Sequence, residues 1–140
     1  MNYWLIKSEP SSWSWDQQVK SGAKGEAWTG VRNHTAKQNL IKMKKGDRAF
    51  FYHSNEGKEI VGIAEVVRES YPDPTAEPGS PWVVVDVKAV TALKTPVALA
   101  AIKQDPKLED MALVRQSRLS VQPVTAAEWK RVCELGGVKS

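Results

Sequence analysis

Apolar side chains along this chain recur in two rhythms, and each change of rhythm marks an element. Tyr3, Trp4 and Ile6 make positions 2–7 aromatic and β-branched enough to predict a strand, and the polar stretch 8–12 around Pro10 ends it. Ser14 followed by Gln17 has the spacing of a capping box, so a short helix is expected over residues 15–20, stopped by Gly22 and Gly25. A brief strand is expected at 26–28. Asn33 is placed to cap a second helix reaching residue 43, because Ala36, Leu40 and Met43 fall on one face at helical spacing. After the Gly46–Asp47 turn, residues 48–54 and 59–68 read as a hairpin around the loop 55–58. Residues 71–81 hold Pro72, Pro74, Pro78 and Pro81 and are expected to form a long loop. A strand over 82–93, a helix over 97–104 ended by Asp105–Pro106, one or two helical turns over 107–113 and a strand over 118–124 follow. Thr125 and Glu128 make a second capping box, opening a final helix that Gly136 is expected to stop.

Strands and helices in this order do not alternate as a doubly wound parallel fold requires. The hairpin-linked middle strands are expected to be antiparallel. The simplest architecture is α+β: one small, strongly curved or closed sheet with helices packed on its outside. The 140 residues suit a single domain over 1–140, with no repeat or linker to divide them.

Composition changes this picture little. Hydrophobic residues make up 41% and charged residues 26%, the balance of a folded globular chain rather than a disordered one. No apolar run is long enough to cross a bilayer, and Lys7 and Glu9 interrupt the only apolar run near the start, so neither a membrane partner nor a signal peptide is expected. The single cysteine, Cys133, fits a reducing, cytoplasmic setting. Charge is more telling. The net +4 is concentrated in residues 1–50, where nine basic side chains face four acidic ones. That asymmetry is compatible with a polyanionic partner or with a solvated basic face.

The chemical inventory is mostly negative. His34, His53 and Cys133 lack metal-ligand spacing, and no phosphate loop, dinucleotide fingerprint or nucleophile elbow is present. No metal or cofactor is expected. His53 and Ser54 are neighbours on a strand and point to opposite faces, so they are poorly placed for a catalytic dyad. What stands out is six tryptophans: Trp4, Trp13, Trp15, Trp28, Trp82 and Trp129. Trp129 is expected in the core, Trp15 as a helix anchor and Trp4, alternating with Ile6, as a structural residue. Trp28 differs, because it lies among small and polar residues ahead of Thr29–Gly30. An indole in such company suits a flat ligand that stacks on the ring and hydrogen-bonds at its edge.

Several segments together resemble the EVE domain family. They are 3–10 (YWLIKSEP), 28–33 (WTGVRN), 43–47 (MKKGD), 51–54 (FYHS), 61–64 (VGIA), 71–74 (YPDP), 118–121 (RLSV) and 123–125 (PVT), spread over essentially the whole chain. The resemblance implies a PUA-like pseudo-barrel, kinship with YTH domains, and recognition of a modified base in DNA or RNA without catalysis. It implies that a base is flipped into an aromatic pocket, with stacking and edge contacts recovering the unstacking cost of a few kcal/mol. On that reading Trp28 is the stacking platform, and Lys7, Ser8 and Glu9 end the first strand beside it. Asn33 combines capping with ligand contact. Alternation lets either His53 or the pair Tyr52 and Ser54 face the pocket, and Tyr71, Asp73 or Trp82 supplies a second wall. Arg32, Lys37, Lys42, Lys44 and Lys45 would hold the phosphate backbone. Two other readings are an enzyme using Glu9, Asp73 or His53 on a nucleotide-like ligand, and a small-molecule sensor with the same pocket.

Overall fold

The computed structural model describes residues 1–140. Six strands form one sheet: β1 (Tyr3–Ser8), β2 (Glu26–Ala27), β3 (Arg48–His53), β4 (Glu59–Pro72), β5 (Val83–Ala98) and β6 (Val121–Val124). Their order across the sheet is β2-β5-β4-β3-β1-β6. The β3–β4 and β4–β5 hairpins are antiparallel as expected, and β1 also meets β6 antiparallel. β1 and β3 pair in parallel, Tyr3 opposite Arg48 and Ser8 opposite His53. A parallel pair needs a long crossover, and the chain between them supplies α1 (Trp15–Lys20), β2 and α2 (His34–Lys42). The β4–β5 pairing has four register shifts, each a local bend in two long strands.

Period-two alternation sends neighbouring side chains to opposite faces, and both faces are buried. Trp4 and Ile6 of β1 and Ala49 and Phe51 of β3 pack with Trp15, Trp28, Ala36, Leu40 and Met43 on the α1–α2 side. Leu5 of β1 and Phe50 and Tyr52 of β3 pack on the other side with α3 (Leu99–Gln104), α4 (Ala112–Arg115) and α5 (Ala126–Gly136). The helices therefore cover both faces rather than one outer surface. Trp129 sits in this second layer, stacked at 3.9 Å on Phe50 and at 4.5 Å on Tyr3. Trp4 donates its indole N–H to Asp47 Oδ2 at 3.1 Å, tying β1 to the turn before β3.

Four boundaries differ from expectation. β4 runs on through Tyr71 and Pro72; past Val66 only β5 pairs with it, so the N–H that proline lacks has no ladder partner to lose. β5 runs to Ala98, with Pro96 inside a bulge, and α3 starts at Leu99 rather than 97. β6 begins only at Val121, because residues 116–119 form a turn closed by Leu119 N–H on Gln116 O. Gly137, with φ of 73°, is the left-handed stop of α5; Gly136 belongs to the helix, where a side chain would collide with Leu93.

Candidate functional site

A cavity of about 300 Å³ opens where the end of β1 meets β2. Lys7, Ser8, Ser12, Trp13, Glu26, Ala27, Trp28 and Thr29 line it. Its two indoles are held by different means. Trp28 donates its backbone N–H to Val85 O at 2.8 Å and packs edge-on against Phe51, ring centres 5.5 Å apart. It is 7% exposed, so it is at once a core residue and a cavity wall. Trp13 is half-buried on the loop after β1. Ser8 Oγ donates to Trp13 O at 2.6 Å, and the Trp13 N–H bonds Glu9 O at 2.9 Å. Its indole N–H donates to Gln18 Oε1 at 2.8 Å, and buried Gln18 in turn donates to Val87 O of β5. That chain of bonds fixes the Trp13 ring relative to the sheet.

The Thr29–Arg32 segment is clamped from outside the cavity by Asp73. One carboxylate oxygen accepts from Gly30 N at 3.1 Å and Arg32 Nη1 at 2.9 Å, and the other from Thr75 N at 2.7 Å and Thr75 Oγ1 at 2.6 Å. Burial opposes its ionisation, but the bonds from Thr75, Arg32 and Gly30 prevail and hold the carboxyl at a pKa of about 2.

Sequence reasoning placed some of these residues and misplaced others. Trp28, Lys7 and Ser8 do meet at the cavity. The Lys7 ammonium, however, is donated to Ser117 O at 2.7 Å, and burial lowers its pKa. Tyr52 points to the opposite face, buried with Leu5 and Ile60, because alternation gives the cavity side to Phe51 and His53. His53 lies on the correct face but accepts the backbone N–H of Trp15 at its Nε2, 3.1 Å away. Burial, opposed by Glu59 and Asp16, lowers its pKa, so it serves as an acceptor at the start of α1. Ser54 lies in the turn, its N–H on Ser8 O. Glu9 is exposed and accepts from Asn55 at 2.7 Å, away from the cavity. Tyr71 donates its hydroxyl to Asp86 and lies under Arg68, so it forms no wall. Asp73 has its oxygens filled by protein donors and acts as the clamp instead. Trp82 stands 4.8 Å from the His34 ring and 5.8 Å from the Arg32 guanidinium, over the start of α2 rather than in the cavity.

Asn33 caps α2 by accepting from Ala36 N at 3.0 Å. It also lines a second, polar depression of about 350 Å³ with Thr35, Gln116, Ser117, Arg118 and Leu119. The basic residues divide. Arg32 is committed to Asp73, and Lys37 is half-buried on α2. Lys42, Lys44 and Lys45 are exposed around the start of β1 and β3, whereas the cavity lies at the end of β1. Five residues of strand separate the two, roughly 16 Å. Helix α2 runs between them, and only its first turn lies towards the polar depression.

Trp13, Ser12, Glu26 and Thr29 were missed. Trp13 had a signal, the same one that marked Trp28: an indole inside the polar run 11–14. Glu26 had one too, since it lies two residues before Trp28 on a strand and shares its face. Cys133 is buried in α5, and desolvation pushes its thiol up to about 11, which suits packing rather than nucleophilic chemistry. No helix is long and apolar enough to cross a membrane.

Comparison with known proteins identifies relatives of the whole chain. Mouse thymocyte nuclear protein 1 is 36% identical in an alignment covering 96% of this chain and 73% of its own. A Rhodopseudomonas palustris protein solved by NMR is 68% identical, covers 98% of this chain and 94% of its own, and superposes with a TM-score of 0.93. Human THYN1, solved in complex with DNA containing 5-methylcytosine, is 32% identical over 100% of both chains, with a TM-score of 0.89. A Zygosaccharomyces rouxii YTH domain, 19% identical with a TM-score of 0.59 over 99% of this chain and 86% of its own, shares the fold. The EVE domain family matches residues 2–135, taking in every strand and all but the end of the last helix, and the chain belongs to that family.

Proposed function

We propose that this chain, as one domain, binds nucleic acid and reads a modified base by taking it into the cavity between Trp13 and Trp28. The observation that carries the reading is two tryptophans on one cavity of about 300 Å³ whose remaining walls are small or polar. Such a space is at the lower end of ligand sites and suits one flat ring. Stacking on an aromatic contributes roughly 1–3 kcal/mol per base, comparable to the cost of unstacking one. The human relative's complex with 5-methylcytosine DNA supports modified cytosine as the first ligand to try.

The placement of the expected acid–base residues supports binding without catalysis. His53, Asp73 and Glu9 were the acid–base candidates; each is already bonded within the protein, and none lines the cavity. Phosphates flanking the flipped base would follow the polar depression at the start of α2, where Arg118 is exposed and enters no ion pair. The Lys7–Ser117 bond joins that depression to the cavity. The buried, unpaired Cys133 suits a reducing compartment such as the cytoplasm.

The test is fluorescence anisotropy with short DNA and RNA oligonucleotides, plain and carrying 5-methylcytosine, 5-hydroxymethylcytosine or N6-methyladenine. One modified strand is expected to bind at least ~10-fold better than its plain counterpart, about 1.4 kcal/mol. Trp13→Ala should erase that preference without unfolding the protein, because Trp13 is not part of the core. Trp28→Phe is the second probe, keeping an aromatic against Phe51. Equal binding of every strand by the wild type would refute the reading and favour a small-molecule ligand.

A further inference from the structure

Stacking leaves the carboxylate of Glu26 in the cavity unused. Resting on the base-reading function proposed above, we infer that Glu26 accepts a hydrogen bond from an exocyclic amino group of the bound base. It thereby admits amino-bearing bases and rejects those with a carbonyl in its place.

Placement is the first argument. Glu26 pairs with Val87 on β2, two residues before Trp28, so both side chains project from the same face, and both line the cavity. Isolation is the second. The Glu26 side chain enters none of the protein's six ion pairs and accepts none of its side-chain hydrogen bonds. Of the other acidic side chains near this end of the sheet, Asp73 is engaged with Gly30, Arg32 and Thr75, Glu9 with Asn55 and Asp86 with Tyr71, while Asp16 and Glu59 lie beside His53 and do not line the cavity.

The neighbouring donors supply the third argument. The Trp13 indole N–H is spent on Gln18 and the Ser8 hydroxyl proton on Trp13 O, while one of the three Lys7 ammonium N–H groups is held by Ser117 O. Ser12 and Thr29 keep hydroxyls that can donate or accept. Glu26 is the one charged group of the lining with no protein partner, and it can accept but not donate. A phosphate or carbonyl edge against it would be repelled, whereas an amino group supplies the missing donor. Carboxylates pair in this way with the cytosine 4-amino group. Thymine offers a carbonyl at the same place.

5-Methylcytosine and thymine carry the same 5-methyl group on rings that differ at C4 and in the N3 proton, so stacking is nearly constant between them. Each is placed opposite an abasic site in one duplex, which removes base pairing as a variable, and binding is measured by anisotropy. An abasic–abasic duplex serves as blank, and an N6-methyladenine arm tells which amino-bearing base is preferred. The wild type is expected to favour 5-methylcytosine over thymine by about 10-fold. Glu26→Gln, whose amide can donate to the thymine carbonyl, should reduce that ratio to about 3-fold or less. Glu26→Ala should weaken 5-methylcytosine binding and relieve the repulsion of thymine, which also brings the ratio to about 3-fold or less. The exposed position of Glu26 makes loss of fold an easy control, read from the urea midpoint of each variant. An undiminished preference in Glu26→Gln overturns this inference and leaves the base-reading function standing. Equal binding of all duplexes, blank included, by the wild type overturns both.

Discussion

Asp73→Asn isolates the clamp that holds the cavity wall. In the wild type each carboxylate oxygen receives two donors, and the side chain is fully removed from solvent. Asparagine keeps one acceptor oxygen and replaces the other with an NH₂ group, which turns donors towards donors. The Thr75 hydroxyl can rotate away, but the Gly30 and Thr75 N–H groups and the Arg32 guanidinium are fixed, so at least one loses its partner. Losing a hydrogen bond to a charged group costs roughly 1.5–3 kcal/mol. The lowered pKa of the native carboxyl, which the same bonds cause, gives a second figure. That pKa falls from 3.8 to about 2, which corresponds to about 2 kcal/mol of stabilisation. That value is an upper one, because the Arg32 side chain is 39% exposed and partly screened.

The sign of the pH dependence follows. The unfolded carboxyl takes up its proton near pH 4 and the native one only near pH 2, so the stabilisation is complete above about pH 4 and drains away as pH falls through 2. Urea unfolding followed by tryptophan fluorescence, on wild type and Asp73→Asn at pH 7, 4, 3 and 2, reads this directly. Other carboxylates titrate in both proteins and cancel in the difference. The expected gap is about 2 kcal/mol at pH 7, closing to under about 1 kcal/mol near pH 2. A gap that is absent at pH 7, or unchanged down to pH 2, would refute the argument. Modified-base preference should weaken with stability, since Thr29 and Trp28 lie immediately before the clamped Gly30.

Two further outcomes test the scaffold and the phosphate track. A Cβ at Gly62 would lie 2.5 Å from the Trp15 ring, so Gly62→Ala should lower unfolding free energy by about 1–3 kcal/mol in urea, and an unchanged midpoint would show that Trp15 is not pinned there. Arg118→Ala should reduce the slope of log Kd against log salt by about 1 while leaving the preference between modified and plain oligonucleotides intact; a change in preference with no change in slope would remove Arg118 from the phosphate track.

Much of this molecule was written locally. The capping boxes at Ser14–Gln17 and Thr125–Glu128, and the Asn33 cap, are contacts between residues three apart, and each formed where its spacing placed it. The β3–β4 hairpin and the assignment of Trp129 and Trp4 to the interior followed from period-two alternation and side-chain character. Trp28 was legible as an indole among polar neighbours, and the same criterion applied to residues 11–14 points to Trp13. What the sequence could not rank was competition for partners. Tyr52 and His53 are adjacent, and only the pairing of β1 with β3 decides which of them shares a face with Trp28. Asp73 and Arg32 are 41 residues apart, and their bond turns a candidate ligand contact and a candidate phosphate contact into one internal clamp. The lysines after α2 cluster in sequence with Arg32, yet the helix carries them to the far end of the sheet. Local hydrogen bonds and periodicity are fixed by neighbours along the chain; which polar groups remain free for a ligand depends on partners that only folding brings together.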